Sequence, residues 1–221
     1  MNITRRKALS IAGATGGVAL LGGAGVFALN HVPGMETGVA RADDLSTLME
    51  AGPLGEHVVG DPQAPVTIIE YAPMTCPHCR SFHKEVYPAI KEKYLDTGKA
   101  KLYFRQFPFD PASAAAFMLA ECSGEDKYFQ MVDILFDKQG IWARGNVVEE
   151  LFKIAKLAGF TQESFQSCLQ NQELLDNVLS IQKKAAEDYG VDATPTFFIN
   201  GEKYSGNMSV EAMGEAIEAF L

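Results

Sequence analysis

The chain of 221 residues has few basic side chains, and this shortage excludes one class of partner. Lysine and arginine together number 19 against 28 aspartates and glutamates, so the formal net charge is −9. Nucleic-acid binding relies on basic groups that neutralise phosphates, and we therefore expect no nucleic-acid partner. The sequence also lacks repeats and low-complexity segments. Beyond the N-terminal region it has no apolar run long enough to predict a membrane span.

Cysteine is scarce, and only two of the four cysteines stand close together. Cys76 and Cys79 form a C-x-x-C pair, whereas Cys122 and Cys168 are isolated from each other in sequence. Structural zinc sites usually need a second pair with similar spacing, and this chain has none. A site of Cys76, Cys79 and His83 could be drawn, but it lacks an evident fourth ligand. We therefore expect no metal site.

The segments on either side of the cysteine pair predict a strand and a helix. Residues 66–71 are short, apolar and rich in β-branched and aromatic residues, which is typical of a buried strand. Residues 80–95 predict a helix. If that helix begins near Cys76, its free N–H groups and the positive end of its dipole favour a thiolate there. Because the thiolate is the form that attacks disulfides, we interpret Cys76 as the nucleophile and Cys79 as the resolving thiol.

A second interpretation of these residues comes from a different functional class. Met74-Thr75-Cys76 with Cys79 also matches the M-T-C-x-x-C pattern of small copper-carrying modules, in which soft thiolates bind Cu(I). Those modules are much shorter and place the motif near the start of the domain. The alternative function is a periplasmic copper-binding module that uses Met74, Cys76 and Cys79.

A second motif lies near the C-terminal end. Residues 196–199 predict a strand, and Asn200-Gly201 after it is a strong signal for a hairpin turn. Pro195 stands where a strand opens, a position at which proline is tolerated. Cis bonds are essentially confined to proline, but the spacing alone favours an ordinary trans bond before Pro195.

Together the two motifs resemble the DsbA family of periplasmic thiol–disulfide oxidoreductases, in the thioredoxin superfamily. The resemblance rests on residues 70–79, which end in Cys-Pro-His-Cys, and on residues 190–201, which contain Thr-Pro-Thr-Phe-Phe-Ile-Asn-Gly. Residues 60–67 and 102–108 also match. The similarity covers about residues 58–221, and Cys-Pro-His-Cys is the variant of the oxidising members.

The resemblance implies an α/β structure, namely a thioredoxin fold with an inserted helical domain. It implies a cis bond between Thr194 and Pro195, with Pro195 facing the cysteine pair and helping to bind the substrate backbone. It places an acidic residue beneath the motif, and Glu70 matches that position. It implies no diffusible cofactor. A membrane quinone reductase of the DsbB type is implied as the partner that reoxidises Cys76 and Cys79.

Two further side chains have a functional and a plainer interpretation. His78 could donate to the Cys76 sulfur or, as imidazolium, stabilise its charge; the alternative is an exposed turn histidine. Stabilising the reduced form makes the disulfide a strong oxidant, which is the general account of DsbA. Glu70 sits in an apolar strand, where a carboxylate is costly unless it is paired or protonated. It could accept a proton from Cys79, or it could face solvent at a strand edge.

The N-terminal region predicts an export signal. Residues 1–42 contain the basic run Arg5-Arg6-Lys7, a glycine-rich apolar stretch and an A-x-A site for cleavage after Ala42, as in secretory signal peptides. The arginine pair resembles a twin-arginine signal; a general secretory route and an uncleaved anchor stay open. Without these residues Lys plus Arg falls from 19 to 15 and Asp plus Glu from 28 to 27, so the net charge becomes −12. We expect a periplasmic protein.

The rest of the chain divides into three parts. Residues 43–57 are an N-terminal lead segment, residues 58–110 and 190–221 form the thioredoxin-like core, and residues 111–189 form the inserted helical domain. Cys122 and Cys168 both fall in the insert. An oxidising compartment favours a structural disulfide between them, and two buried free thiols are the alternative.

The predicted function is an extracytoplasmic oxidase that introduces disulfides into unfolded or reduced secreted proteins, and we expect a monomer. The alternative within the same class is a reductase or isomerase of the same fold, which would be kept reduced. Isomerases of related design carry an N-terminal dimerisation domain, and the lead segment is too short for one.

Overall fold

The structure, a computed structural model, describes residues 42–221. The predicted signal peptide, with its twin-arginine-like motif, lies outside the described residues except for Ala42, which opens helix α1 (Ala42–Leu48). Within residues 42–221 every helix is too short or too polar to cross a bilayer. The short helix α1 occupies part of the predicted lead segment.

A five-stranded mixed sheet forms the centre of the fold, in the order β1-β3-β2-β4-β5. Strands β2 and β3 are parallel, and every other neighbouring pair is antiparallel. All seven residues of β2 are buried, as expected for a strand covered on both faces. The strands are β1 (Val58–Gly60), β2 (Val66–Ala72), β3 (Ala100–Gln106), β4 (Thr196–Ile199) and β5 (Glu202–Ser205).

The helix after β2 begins earlier than residue 80, where the sequence predicts it. It starts with α2 (Pro77–Ser81), because proline suits the first turn of a helix, where its missing N–H is no loss. It continues through a π turn (Phe82–Val86), α3 (Tyr87–Ile90) and a second π turn (Lys91–Leu95).

Six helices follow β3 and precede β4. They are α4 (Pro111–Cys122), α5 (Tyr128–Asp137), α6 (Gln139–Trp142), α7 (Val147–Leu157), α8 (Gln162–Leu169) and α9 (Gln172–Asp188). A short 3₁₀ turn (Glu125–Lys127) precedes α5. The aromatic ring of Phe104 in β3 lies 6.1 Å from that of Phe117 and 6.0 Å from that of Phe136. These helices therefore share one hydrophobic core with the sheet.

The turn between β4 and β5 has the geometry that Asn-Gly predicts. Asn200 has φ of 46° and Gly201 has φ of 93°, and a two-residue turn of this kind needs positive φ at both positions. Asn200 also donates its N–H to the Thr67 carbonyl and accepts the Thr67 N–H through Oδ1, at 2.9 and 2.8 Å. These bonds fix the hairpin against β2. The last helix, α10 (Val210–Glu218), is capped at its start by Ser209, whose side-chain oxygen accepts the Ala212 N–H.

The structure joins Cys122, at the end of α4, to Cys168 in α8 by a disulfide. Their Cα atoms lie 6.2 Å apart, and the two residues are 46 positions apart in sequence. The bond closes a loop that contains α5, α6 and α7.

Replacing both Cys122 and Cys168 by Ala should lower the free energy of unfolding. A loop of this length corresponds to about 3–4 kcal/mol of lost chain entropy in the unfolded state. Urea unfolding, with Cys76 and Cys79 oxidised in both proteins, measures the difference. Equal unfolding free energies would contradict the stabilising role of this bond.

Candidate active site

Cys76 lies where strand β2 gives way to a helix, and it caps that helix. Its backbone is extended, and its Sγ accepts the backbone N–H of Cys79 at 3.3 Å. Cys76 is partly exposed, whereas Cys79 is fully buried. The cysteine at the helix start is therefore partly accessible to solvent, and its partner one turn on lies in the core.

The second sequence motif lies beside the first. The Thr194-Pro195 peptide bond is cis, as the family resemblance implies and in contrast to the trans bond favoured by spacing alone. In its thiol form, the Cys76 Sγ donates to the Thr194 carbonyl oxygen at 3.7 Å. Strands β2 and β4 are neighbours in the sheet, and this pairing places the loop before β4 next to the end of β2.

The surroundings of the two sulfurs shift their pKa values in opposite directions. A hydrogen bond from the Cys79 thiol is the largest cause that lowers the pKa of Cys76, to about 5. The Thr194 hydroxyl and the backbone N–H groups of Cys79 and His78 also lower it, and partial burial opposes them. Burial raises the pKa of Cys79, and the charges of Cys76 and Glu70 raise it further. The pair is thus one accessible thiolate and one buried thiol.

His78 is exposed, and its ring is oriented toward another loop. Its Nδ1 lies 3.3 Å from the Asn207 side-chain nitrogen, while its backbone N–H is among the groups that lower the pKa of Cys76. The exposed-histidine alternative therefore describes its position. A direct effect of the imidazole on Cys76 stays a prediction.

Glu70 does not face solvent, so that alternative is wrong. Its side chain is 0% exposed, and both carboxylate oxygens lie near His83 Nε2, at 3.0 and 3.1 Å. The partner is one helix turn beyond Cys79, on the π turn of the same helix. In the sequence, His83 was a candidate only as a metal ligand, because nothing in the local pattern links a central strand residue to it.

Comparison with known proteins places this arrangement in a family. The thioredoxin family model matches residues 54–219. The crystal structure of Wolbachia pipientis alpha-DsbA1 superposes with a TM-score of 0.73 at 33% identity, over 79% of this chain and 94% of that one. The chain belongs to the DsbA family. It therefore has the thioredoxin fold with inserted helices, and the predicted α/β fold class is confirmed.

Two further relatives extend the comparison. BdbD from Bacillus subtilis superposes with a TM-score of 0.67 at 24% identity, over 74% of this chain and 91% of that one, which shows a common fold. A Rickettsia typhi protein, whose curated name describes a protein-disulfide oxidoreductase, is 31% identical over 168 residues. The match covers 75% of this chain and 62% of the Rickettsia protein. The chain thus spans about three fifths of the length of such curated relatives.

The inserted helices hold the loop that carries Cys76 in this DsbA-family protein. Gln139, 5% exposed, donates its side-chain N–H groups to the carbonyls of Met74 and Cys76, both at 2.9 Å. The Ser113 hydroxyl accepts the Met74 N–H at 2.9 Å. No sequence pattern indicated Gln139, since its partners are backbone carbonyls far away in the chain.

The side chains proposed for copper binding have other surroundings. Met74 is completely buried. Among the residues whose side chains the structure describes, no group of three His, Cys, Asp or Glu side chains is arranged to hold a metal ion. No specific observation on this site favours the copper-module alternative.

We expect the alkylation rate of reduced Cys76 to be half-maximal near pH 5, the pKa set by the groups around its sulfur, rather than near 8.5 as for an ordinary thiol. Iodoacetamide labelling with peptide mass mapping measures this, with Cys76→Ala as the control. Faster labelling of Cys79 would contradict the assignment of roles.

The same shift predicts a pH-dependent stability difference between the redox states. Because the folded pKa of Cys76 lies below the unfolded one, the thiolate stabilises the reduced fold. This contribution is complete above about pH 9 and is lost as the pH falls to about 5. Thermal unfolding should show the reduced form gaining stability over the oxidised form between these pH values. A difference in thermal stability between the two redox forms that does not change with pH would contradict the lowered pKa of Cys76.

Replacing Gln139 by Leu should destabilise the protein by about 1–3 kcal/mol, because it leaves two backbone carbonyls without their donor. Urea unfolding measures the loss. Gln130→Leu is the matched control, since Gln130 is an exposed residue of α5, and its effect should stay within about 0.5 kcal/mol. Equal effects of the two changes would show that the Gln139 bonds do not support the loop.

Proposed function

We propose that this protein is a thiol–disulfide oxidase that introduces disulfides into secreted proteins. The observation that carries the proposal is the asymmetry of its cysteine pair. Cys76 is partly exposed and has a pKa lowered to about 5, whereas Cys79 is buried and has a raised pKa. The family membership and the names of the Rickettsia relatives support the same chemistry.

The reaction follows from this asymmetry. A substrate thiolate attacks the Cys76 sulfur of the Cys76–Cys79 disulfide, and the bond to Cys79 breaks. Cys79 leaves with the electron pair and takes up a proton. A second substrate thiolate then attacks the mixed disulfide, so that the substrate is oxidised and both enzyme cysteines are reduced. Cys76 leaves as a thiolate, and because its pKa is low it is a good leaving group.

The direction of thiol–disulfide exchange depends on how stable the reduced form of the protein is. Hydrogen bonds from Cys79 and Thr194 stabilise the Cys76 thiolate, and the disulfide cannot receive this stabilisation. A stabilised reduced form makes the disulfide oxidising. This favours an oxidase over a reductase or isomerase.

Further residues have proposed roles around this pair. The Thr194 backbone beside Cys76, with Pro195, would bind an extended substrate segment next to the reacting sulfur. Glu70 would exchange a proton with Cys79, since its carboxylate is buried and close enough for its charge to raise the pKa of Cys79. The imidazole of His78 would add to the stabilisation of the thiolate.

Location and partners are part of the proposal. Substrates would be unfolded or reduced proteins in the periplasm, reached with the signal peptide of residues 1–42. A membrane quinone reductase of the DsbB type would reoxidise Cys76 and Cys79, and the protein would act as a monomer without a diffusible cofactor. The support is family membership together with a cysteine pair that needs an electron acceptor after each turnover.

Cysteine substitutions should separate the two thiols. Cys76→Ala should abolish oxidation of a reduced, unfolded substrate protein, because it removes the attacked sulfur. Cys79→Ala should accumulate substrate mixed disulfides, because the internal resolving thiol is lost. Non-reducing gel electrophoresis and mass spectrometry measure both outcomes. Mixed disulfides on Cys79 in the Cys76→Ala variant would reverse the roles.

The redox potential of the Cys76–Cys79 pair tests the oxidase proposal directly. Equilibration with glutathione should give a value near the oxidising end of the family scale, about −120 mV, rather than the thioredoxin value of about −270 mV. The lower value would support a reductase instead. Metal analysis of the purified protein completes the test, and stoichiometric copper would favour the copper module.

A further inference from the structure

Glu70 and His83 form a buried pair, in which His83 lies nearer the protein surface. The Glu70 side chain is 0% exposed and the His83 side chain 7% exposed. His83 Nε2 bonds the Glu70 carboxylate, but the other ring nitrogen, Nδ1, is buried without a partner among the described protein groups. Because buried polar atoms almost always have a hydrogen-bond partner, this one needs an explanation.

A cavity of about 290 Å³ adjoins this histidine. Its lining includes His83, Tyr87 and Phe136, and also the exposed residues Lys84 and Asp137. Because these two lining residues are exposed, the cavity is open to solvent. Since one water occupies about 30 Å³, the cavity has room for several waters beside His83.

We propose that His83 relays protons between Glu70 and solvent in this cavity, so that the buried Cys79 thiol can lose and regain its proton. The relay rests on the proposed role of Glu70 and deepens it. His83 is a positioning and relay residue that acts through Glu70.

The step that needs the relay is the closing of the Cys76–Cys79 bond. With Cys76 in a mixed disulfide, Cys79 passes its proton to Glu70, Glu70 to His83 Nε2, and His83 releases one from Nδ1 to solvent. The Cys79 thiolate then attacks Cys76, the new bond forms, and the bound thiol leaves as a thiolate. When the Cys76–Cys79 disulfide is opened, the same protons move in reverse.

The groups around His83 can affect the proton transfer through its ring. Glu70 faces it from β2, Tyr87 from the next turn of its own helix, and the charge of Asp133 on α5 is within electrostatic reach. The ring stacks on Phe136 at 4.2 Å between centroids. Four charged residues lie along the cavity, namely Lys84, Lys91, Asp133 and Asp137.

A second histidine offers a matched control. His57 Nε2 lies 3.0 and 3.1 Å from the two carboxylate oxygens of Glu121, and its ring stacks on Tyr128. It lines a different cavity, between the N-terminal segment and α9. His57→Gln therefore removes the same kind of pair without touching the path from Cys79.

The test measures how fast the mixed disulfide between Cys76 and glutathione is replaced by the Cys76–Cys79 disulfide. Reduced protein is mixed with oxidised glutathione, and quenched samples are weighed by mass spectrometry from about pH 5 to pH 9. In His83→Gln, whose amide can still bond Glu70 but does not carry the proton onward, closure should slow by about tenfold or more. The glutathione adduct on Cys76 should then accumulate, while the pH midpoint of Cys76 alkylation stays unchanged. His57→Gln should behave as the unmodified protein.

A double variant separates the relay from a packing effect. Glu70→Gln should slow closure to a similar extent, and Glu70→Gln with His83→Gln should be no slower than either change alone, since both act on one path. The relay would be overturned if the slowing factors of the two changes multiplied in the double variant, or if closure in His83→Gln were unchanged. Equal slowing of closure in His57→Gln, or a shifted pH midpoint of Cys76 alkylation, would overturn it as well.

A second variant covers the case in which His83→Gln fails to fold. His83→Ala enlarges the cavity, and free imidazole should restore closure while an equal concentration of sodium chloride should not. No restoration in a folded His83→Ala protein counts against the relay. A thioredoxin-like redox potential of the unmodified protein would contradict the oxidase proposal, but the rate of disulfide closure could still be measured. Failure of the oxidase proposal and failure of the relay are therefore distinguishable.

Discussion

The hydrogen bond from the Cys79 backbone N–H to the Cys76 sulfur is the contact around which the site is organised. It measures 3.3 Å and exists because Cys76 caps a helix whose first residue is Pro77. A sulfur in that position gains more as an anion than as a thiol, since the free N–H groups of the first turn point at it. The same turn carries Cys79 into the core, so one structural unit both activates one thiol and buries the other.

The remaining parts of the site come from elements that converge on this unit. The sheet brings Thr194 to the sulfur, and the inserted helices hold the preceding loop through Gln139 and Ser113. Glu70 approaches from beneath, in the central strand. Of these contacts, the one with Thr194 is made by the Cys76 sulfur itself, whereas Gln139 and Ser113 bond the backbone of the loop that carries it.

Elements with a strong local pattern were predictable. Residues 66–71 and 196–199 match strands β2 and β4 because short apolar, β-branched runs have few other stable arrangements. Strand β1, with three residues, and helix α6, with four, were not predicted, since they are too short to show a period. The helix predicted to begin at residue 80 begins at Pro77, where the sequence alone offered only the proline as a signal.

By itself, the sequence determined the candidate cysteine pair, the strand and helix around it, and the Asn200-Gly201 turn, because each depends on neighbours along the chain. Only the tertiary structure decided that Glu70 pairs with His83 and that Gln139 holds the Cys76 loop. It also showed that Cys122 is bonded to Cys168. These contacts join residues far apart in sequence. They depend on how the sheet and the inserted helices pack, and no local pattern encodes that packing.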